Sequence, residues 1–272
     1  VNATQFLQSL GDKFPTKESR WERERLILEA VINGYMLPVR WKPITSVVGG
    51  RTVRIWVSED VLRIGEPDDY VRVTTTAKTV QLIADYLDAR ILTPKIIDLI
   101  WMQADVRIEP LTNPSSVTNK TMLDTVNMVK HSRDVDAAIK NRIGLVADIG
   151  KHWCLSNALT THPGMAAICG WHTEHARPDP NHPENGPYRA PCGGYMWQTL
   201  GISHNTDHFD YSMFDRLVCR VAEVDGARVP YDDVADSAEL APAISYEGRI
   251  TCKRYPDVKY VPPDGPLEDP PT

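Results

Sequence analysis

Apolar spacing changes period repeatedly along this chain, and strand and helix patterns never alternate regularly. A doubly wound parallel sheet needs that regular alternation. The order of patterns predicts an α+β fold instead, with a helical N-terminal part packed on a mainly antiparallel sheet. Thr16 is a natural N-cap for a helix over 18–33, and Gly34 can end it. Trp21, Leu28 and Val31, with Arg25 between them, mark its expected inner face. The mixed charges of 18–25 read as a solvated face.

Val47-Val48, Gly49-Gly50 and Thr52–Val57 read as a hairpin closed by a Gly-Gly turn. Residues 71–73 form another short strand. Thr76 caps a helix over 77–87, and Thr93 caps one that starts at Pro94 and runs to Gln103. Residues 106–111 return to strand and 122–141 to helix. From residue 144 strands dominate, at 145–147, 152–155, 165–171, 195–200, 216–224 and 250–253. Asp225-Gly226 is a turn, and 232–240 a short helix. No Pro/Gly linker divides the chain. The expectation is one domain over 1–260, helix-rich over 1–142 and sheet-rich over 143–260, then an extended tail over 261–272.

Composition removes several functions. With 272 residues, 42% hydrophobic and 24% charged, the chain can bury a sizeable core. No run of eighteen apolar residues exists, so no membrane-spanning helix is expected. A net charge of −6 argues against a nucleic-acid binder with a broad basic surface. G-x-G-x-x-G, G-x-x-x-x-G-K, G-x-S-x-G and H-E-x-x-H are all absent. No cofactor is therefore expected from motifs.

Five cysteines are present, without a C-x-x-C pair. Cys169 and Cys192 bracket a proline-rich loop, and a bridge there would staple it. Cys219 and Cys252 could form a second bridge, leaving Cys154 over. The alternative is five reduced thiols. Asn2-Ala-Thr and Asn119-Lys-Thr fit the glycosylation sequon, about the number chance supplies. No signal peptide is visible, and the start at Val1 points to processing or trimming. The expectation is a secreted or extracytoplasmic protein.

All eight histidines lie between His131 and His208. The densest polar segments are Cys169–His175 and Ser203–Ser212. Imidazole exchanges a proton near neutral pH, and a carboxylate can fix its tautomer. His204 is the expected acid–base group, with Asp210 orienting it and His172 as second base or ligand. Alternation along an extended segment, plus a turn at Asn205-Thr206, would bring His204 and Asp210 together. Ser212 or Tyr211 would meet the substrate, and Lys151 would face a developing oxyanion. Trp171 and Trp197 would line a groove. His162, His175 and His182 sit in proline-rich sequence and are expected at the surface. Two rivals use the same residues. His172, His204, His208 and Asp210 could ligate zinc. Cys154, His204 and Asp210 could form a thiol triad, although Cys154 lies in a strand-like run.

Gly170-Trp171-His172, then His204, Asp210-Tyr211-Ser212 and Arg216-Leu217-Val218, resemble a family of uncharacterised, mainly bacterial proteins. So do Thr93–Asp98, Leu240-Ala241-Pro242 and Ser245-Tyr246-Glu247-Gly248. The likeness covers most of 77–248 and implies no established activity. It singles out His172, His204, Asp210, Tyr211 and Ser212. The chain departs from that pattern at Met213, where a histidine is expected, and in the insertion 173–192. The leading expectation is a hydrolase-type enzyme acting on a peptide or polysaccharide. The alternatives are a zinc-dependent hydrolase and a non-catalytic binding protein. His172, His204 and Asp210 converging in one cleft would favour an enzyme, and exposed tryptophans with scattered histidines a binding module.

Overall fold

The computed structural model describes residues 1–114, 116–118, 121–181, 183, 186–260 and 270. The Asn119 sequon, His182 and nearly all of the expected tail lie outside the described residues. The fold is α+β. Its helices are α1 (Ala3–Leu10), α2 (Lys17–Ile32), α3 (Ala77–Tyr86), α4 (Pro94–Gln103), α5 (Thr125–Ile139) and α6 (Tyr231–Asp236). Thr16, Thr76 and Thr93 each accept a backbone N–H at the start of α2, α3 and α4.

One sheet runs β1 (Trp41–Val48), β2 (Arg51–Ser58), β13 (Leu217–Val224) and β14 (Ala227–Pro230), with β5 (Arg90–Ile91) also on β13. The other runs β10 (Tyr188–Arg189), β11 (Tyr195–Asn205), β9 (Met165–Thr173), β8 (Lys151–Cys154) and β12 (Met213–Phe214). Two small pairs complete the fold: β3 (Arg63–Glu66) with β4 (Asp69–Arg72), and β6 (Val106–Arg107) with β7 (Val146–Ala147). Pairing is antiparallel except at β6/β7 and β12/β8.

The sheet is not confined to the C-terminal half. The β1/β2 hairpin turns at Gly49-Gly50 as expected, but β13 then pairs with β2, Val218 opposite Val57. One apolar cluster runs through both halves, from Phe6, Ile55 and Ile96 to Trp153 and Val218. Residues 250–253 form no strand, and the strand expected over 106–111 shrinks to Val106–Arg107. Among the described residues no helix is long and apolar enough to cross a membrane.

The inner face of α2 matches the expected one only in part: Val31 is buried and Leu28 packs against the core, but Trp21 does not. Trp21 is exposed, while Arg23, Glu24, Ile27, Ala30 and Val31 are buried. Arg23 is no solvated charge. Its guanidinium lies 4.2 Å over the Phe209 ring, donates to the Thr74 carbonyl and pairs with Glu24. Glu24 in turn accepts the Thr76 N–H, so this buried pair ties α2 to the start of α3.

His131 and His152 fill structural positions. His131 sits in α5 with Nε2 2.9 Å from the Leu111 carbonyl. Burial lowers the pKa of His131 to about 4 and of His152 to about 3. The unfolded chain takes protons on these rings near pH 6.5. Their contribution to stability is thus present above pH ~6.5 and lost as pH falls through the folded values. In a histidine NMR titration, neither ring should protonate above pH ~5. A midpoint near 6.5 for either would contradict this placement.

Candidate functional site

The structure separates the residues expected to converge. On β9 and β11, His172 lies opposite Met196 and His204 opposite Ala166. Six residues of β9 separate those partners, roughly 20 Å at ~3.3 Å per residue. His172 and His204 therefore share no cleft wall. The four-ligand set of His172, His204, His208 and Asp210 is not assembled.

At the His204 end, β11 continues to Asn205, and a turn follows. The Asp207 N–H donates to the Asn205 side chain, folding His208 back over His204. The two rings stack 4.1 Å apart with planes 4° from parallel. Burial, with Lys151 next, lowers the pKa of His204, and burial with His204 beside it lowers His208 to about 4. Among the described residues no hydrogen bond joins His204 to Asp210. Asp210 instead accepts from Lys151 Nζ at 2.6 Å and from the Ser212 hydroxyl at 2.7 Å. Burial resists this charge, but Lys151 prevails and holds the carboxyl at about 2.

The other candidates there are structural. Ser212 is buried and its proton points at Asp210, so it is no exposed nucleophile. The Tyr211 oxygen accepts the Asn113 N–H inside the fold. Lys151 is held by Asp210 and lies 5.5 Å over the Trp171 ring. Trp171 and Trp197 are each 4% exposed and pack edge to face at 6.1 Å, so they line no groove. His162 and His175 are at the surface.

The cysteines correct a further expectation. No disulfide joins any of the five, so neither the Cys169–Cys192 nor the Cys219–Cys252 bridge exists. The case for an extracytoplasmic location that leaned on a bridge falls with it. Cys154 faces a fully buried interior, and burial pushes its thiol pKa up, the opposite of what a nucleophile needs.

A different cluster forms at the other end of β9. The His172 ring is completely buried and stacks on Trp101 of α4, centroids 5.4 Å apart. Its Nε2 lies 2.8 Å from Asp98 Oδ1. Asp148, on the loop after β7, accepts the His172 backbone N–H at 2.6 Å. The same carboxylate oxygen lies 2.5 Å from Nδ1, off the N–H direction, an ionic contact rather than a hydrogen bond. Burial opposes charge on the ring, but Asp148 and Asp98 outweigh it and hold the imidazolium well above its ordinary range.

The row reaches solvent through Tyr246. Its hydroxyl donates to Asp98 Oδ2 at 2.6 Å, and the residue is 50% exposed. Burial, then the Asp98 carboxylate, push the pKa of that hydroxyl up. The half-buried Cys192 completes the group: one ligand atom each of Asp98, His172 and Cys192 lies within 4.8 Å of the others.

Local sequence explains the assembly. Thr93 caps α4 through its oxygen and donates its own proton to the Ile244 carbonyl, and Lys95 donates to the Pro242 carbonyl. The start of α4, and so Asp98, is thereby fastened to the segment bearing Tyr246. Cys192 stands in the tight turn between β10 and β11, where the Ala190 N–H bonds the Gly194 carbonyl. Gly194 is required there, since a Cβ would meet the Trp101 ring at 2.7 Å.

Sequence reasoning singled out His172 but missed Asp98, Asp148, Tyr246 and Cys192 as its partners. No protein-family model, curated protein or solved structure matches the chain.

Proposed function

We propose that the protein is a hydrolase-type enzyme whose acid–base centre is the Asp148–His172–Asp98–Tyr246 row. One observation carries this reading: a hydrogen-bonded path runs from a completely buried imidazole to a half-exposed hydroxyl. Burying an imidazole between two carboxylates is costly, and an apolar trio of similar size is often at least as stable. A buried titratable group perturbed by specific charged partners is a candidate functional site.

The chemistry follows from the connections. As water attacks a scissile bond, its proton passes to Tyr246 Oη, while the tyrosine proton passes to Asp98. The reverse transfer protonates the leaving group. His172, whose backbone N–H is held by Asp148, fixes the orientation of Asp98 through the contact of Nε2 with Oδ1. Tyr246 lies at the surface, where a peptide or polysaccharide chain can reach its hydroxyl. The burial of Trp171 and Trp197 removes them from any binding surface.

The test uses dye-labelled casein and dye-linked polysaccharides. Hydrolysis of one of these is expected, falling about 10²–10⁴-fold in Tyr246→Phe. Tyr246 is half exposed, so that variant should keep its fold. Hydrolysis of neither, or an unchanged rate in Tyr246→Phe, overturns the proposal.

A further inference from the structure

We infer that Asp98, His172 and Cys192 form a binding site for one divalent transition-metal ion of the zinc class. The inference deepens the reading above and rests on it only for the role of the site in hydrolysis.

The donor set comes first. An imidazole nitrogen, a thiol sulfur and a carboxylate oxygen, contributed by β9, the β10–β11 turn and α4, lie within 4.8 Å of one another. Zinc takes this mixture of nitrogen, sulfur and oxygen, and the sulfur disfavours magnesium or calcium. Bonds of ~2.0–2.3 Å at tetrahedral angles put ligand atoms ~3.3–3.6 Å apart. The Nε2–Oδ1 contact of 2.8 Å has to open by only about half an ångström to admit the ion.

The surroundings give an independent argument. A metal-binding histidine normally turns its other ring nitrogen to a carboxylate, and a ligating carboxylate is itself hydrogen-bonded. The carboxylate's support is present, and a carboxylate stands beside the other ring nitrogen as an ionic contact. Asp148 Oδ2 is 2.5 Å from Nδ1, and the Tyr246 hydroxyl donates to the Asp98 oxygen that faces away from the ring. Nδ1 is buried without an aligned acceptor, so the pairing with Asp148 is not yet optimised. Three protein ligands beside a half-exposed tyrosine leave the fourth position for water or substrate, the pattern of catalytic rather than structural zinc sites. Binding would release the Nε2 proton and the thiol proton.

The experiment measures metal content and spectroscopy on the purified full-length chain, without reference to turnover. Protein stripped with chelator and reloaded with zinc should hold one equivalent per chain. Loading with cobalt(II) should give the near-ultraviolet charge-transfer band that a sulfur ligand produces. Cys192→Ser should lose that band, and Cys219→Ala, on a strand of the other sheet, should keep it. Asp148→Asn should weaken zinc affinity about 10–100-fold with the circular dichroism unchanged. No stoichiometric metal, or a band that survives Cys192→Ser, overturns the inference. Chelated protein that still hydrolyses its substrate refutes the metal's role and leaves the proposed function standing. Metal-loaded protein without hydrolysis does the reverse.

Discussion

Replacing His172 with leucine is expected to lower the folding free energy by about 3–5 kcal/mol, the usual cost of removing one partner from a buried charged set. The ring is completely buried, with Asp98 on one nitrogen and Asp148 by the other. Leucine leaves two carboxylates facing each other across an apolar side chain. Urea unfolding in the presence of chelator isolates this effect from any loss of metal. If His172→Leu does not accumulate as folded protein, His172→Gln serves, since it keeps one polar contact and should cost less. The triple variant Asp98→Asn, Asp148→Asn, His172→Leu should recover part of the loss, because no charge of the row then remains buried. A loss below about 1 kcal/mol in His172→Leu would show that the carboxylates do not depend on the ring.

Trp153→Ala should cost a similar amount, about 3–5 kcal/mol, for a different reason. Trp153 is 1% exposed and lies in the apolar cluster shared by both halves of the chain. Its indole N–H donates to the Thr75 carbonyl, in the link between β4 and α3. Alanine removes the ring, opens a cavity and leaves that carbonyl unpaired. Trp153→Phe restores most of the volume but not the donor, so its cost should fall to about 1–3 kcal/mol. Chemical denaturation of the two variants side by side separates packing from hydrogen bonding. Equal costs would mean that the cavity contributes nothing.

The local elements were legible because their signals are local. Thr16, Thr76, Thr93 with Pro94, and Gly49-Gly50 each act within a few residues, and each helix or turn stands where they put it. The site was legible only in part. Asp98, Asp148, His172, Cys192 and Tyr246 come from five separate segments, and no spacing rule reaches that far. The parity argument linking His204 to Asp210 failed because β11 gives way to a turn after Asn205 and Lys151 claims the carboxylate. Alternation also carries little information on β9, where every residue after Met165 is buried. Gly170 and Trp171 both have positive φ there, so the strand does not keep a regular pleat. The partly misread face of α2 has the same origin as the buried row: arginine and glutamate can enter a core as a pair, which hydropathy alone does not show.

The pairing of β13 with β2 sets a timetable for synthesis. The β1/β2 hairpin is complete at Ser58, but the strand that covers the open edge of β2 ends at Val224. At ~5–20 residues per second, a ribosome needs on the order of ten seconds or more to make the intervening chain. Throughout that interval, Val53, Ile55 and Val57 wait on a hairpin whose outer backbone groups have no partner. Nascent chains crowded on one message can pair edge to edge during that wait. Soluble yield should therefore rise when initiation is made sparser at an unchanged elongation rate, because fewer unfinished hairpins then share one message.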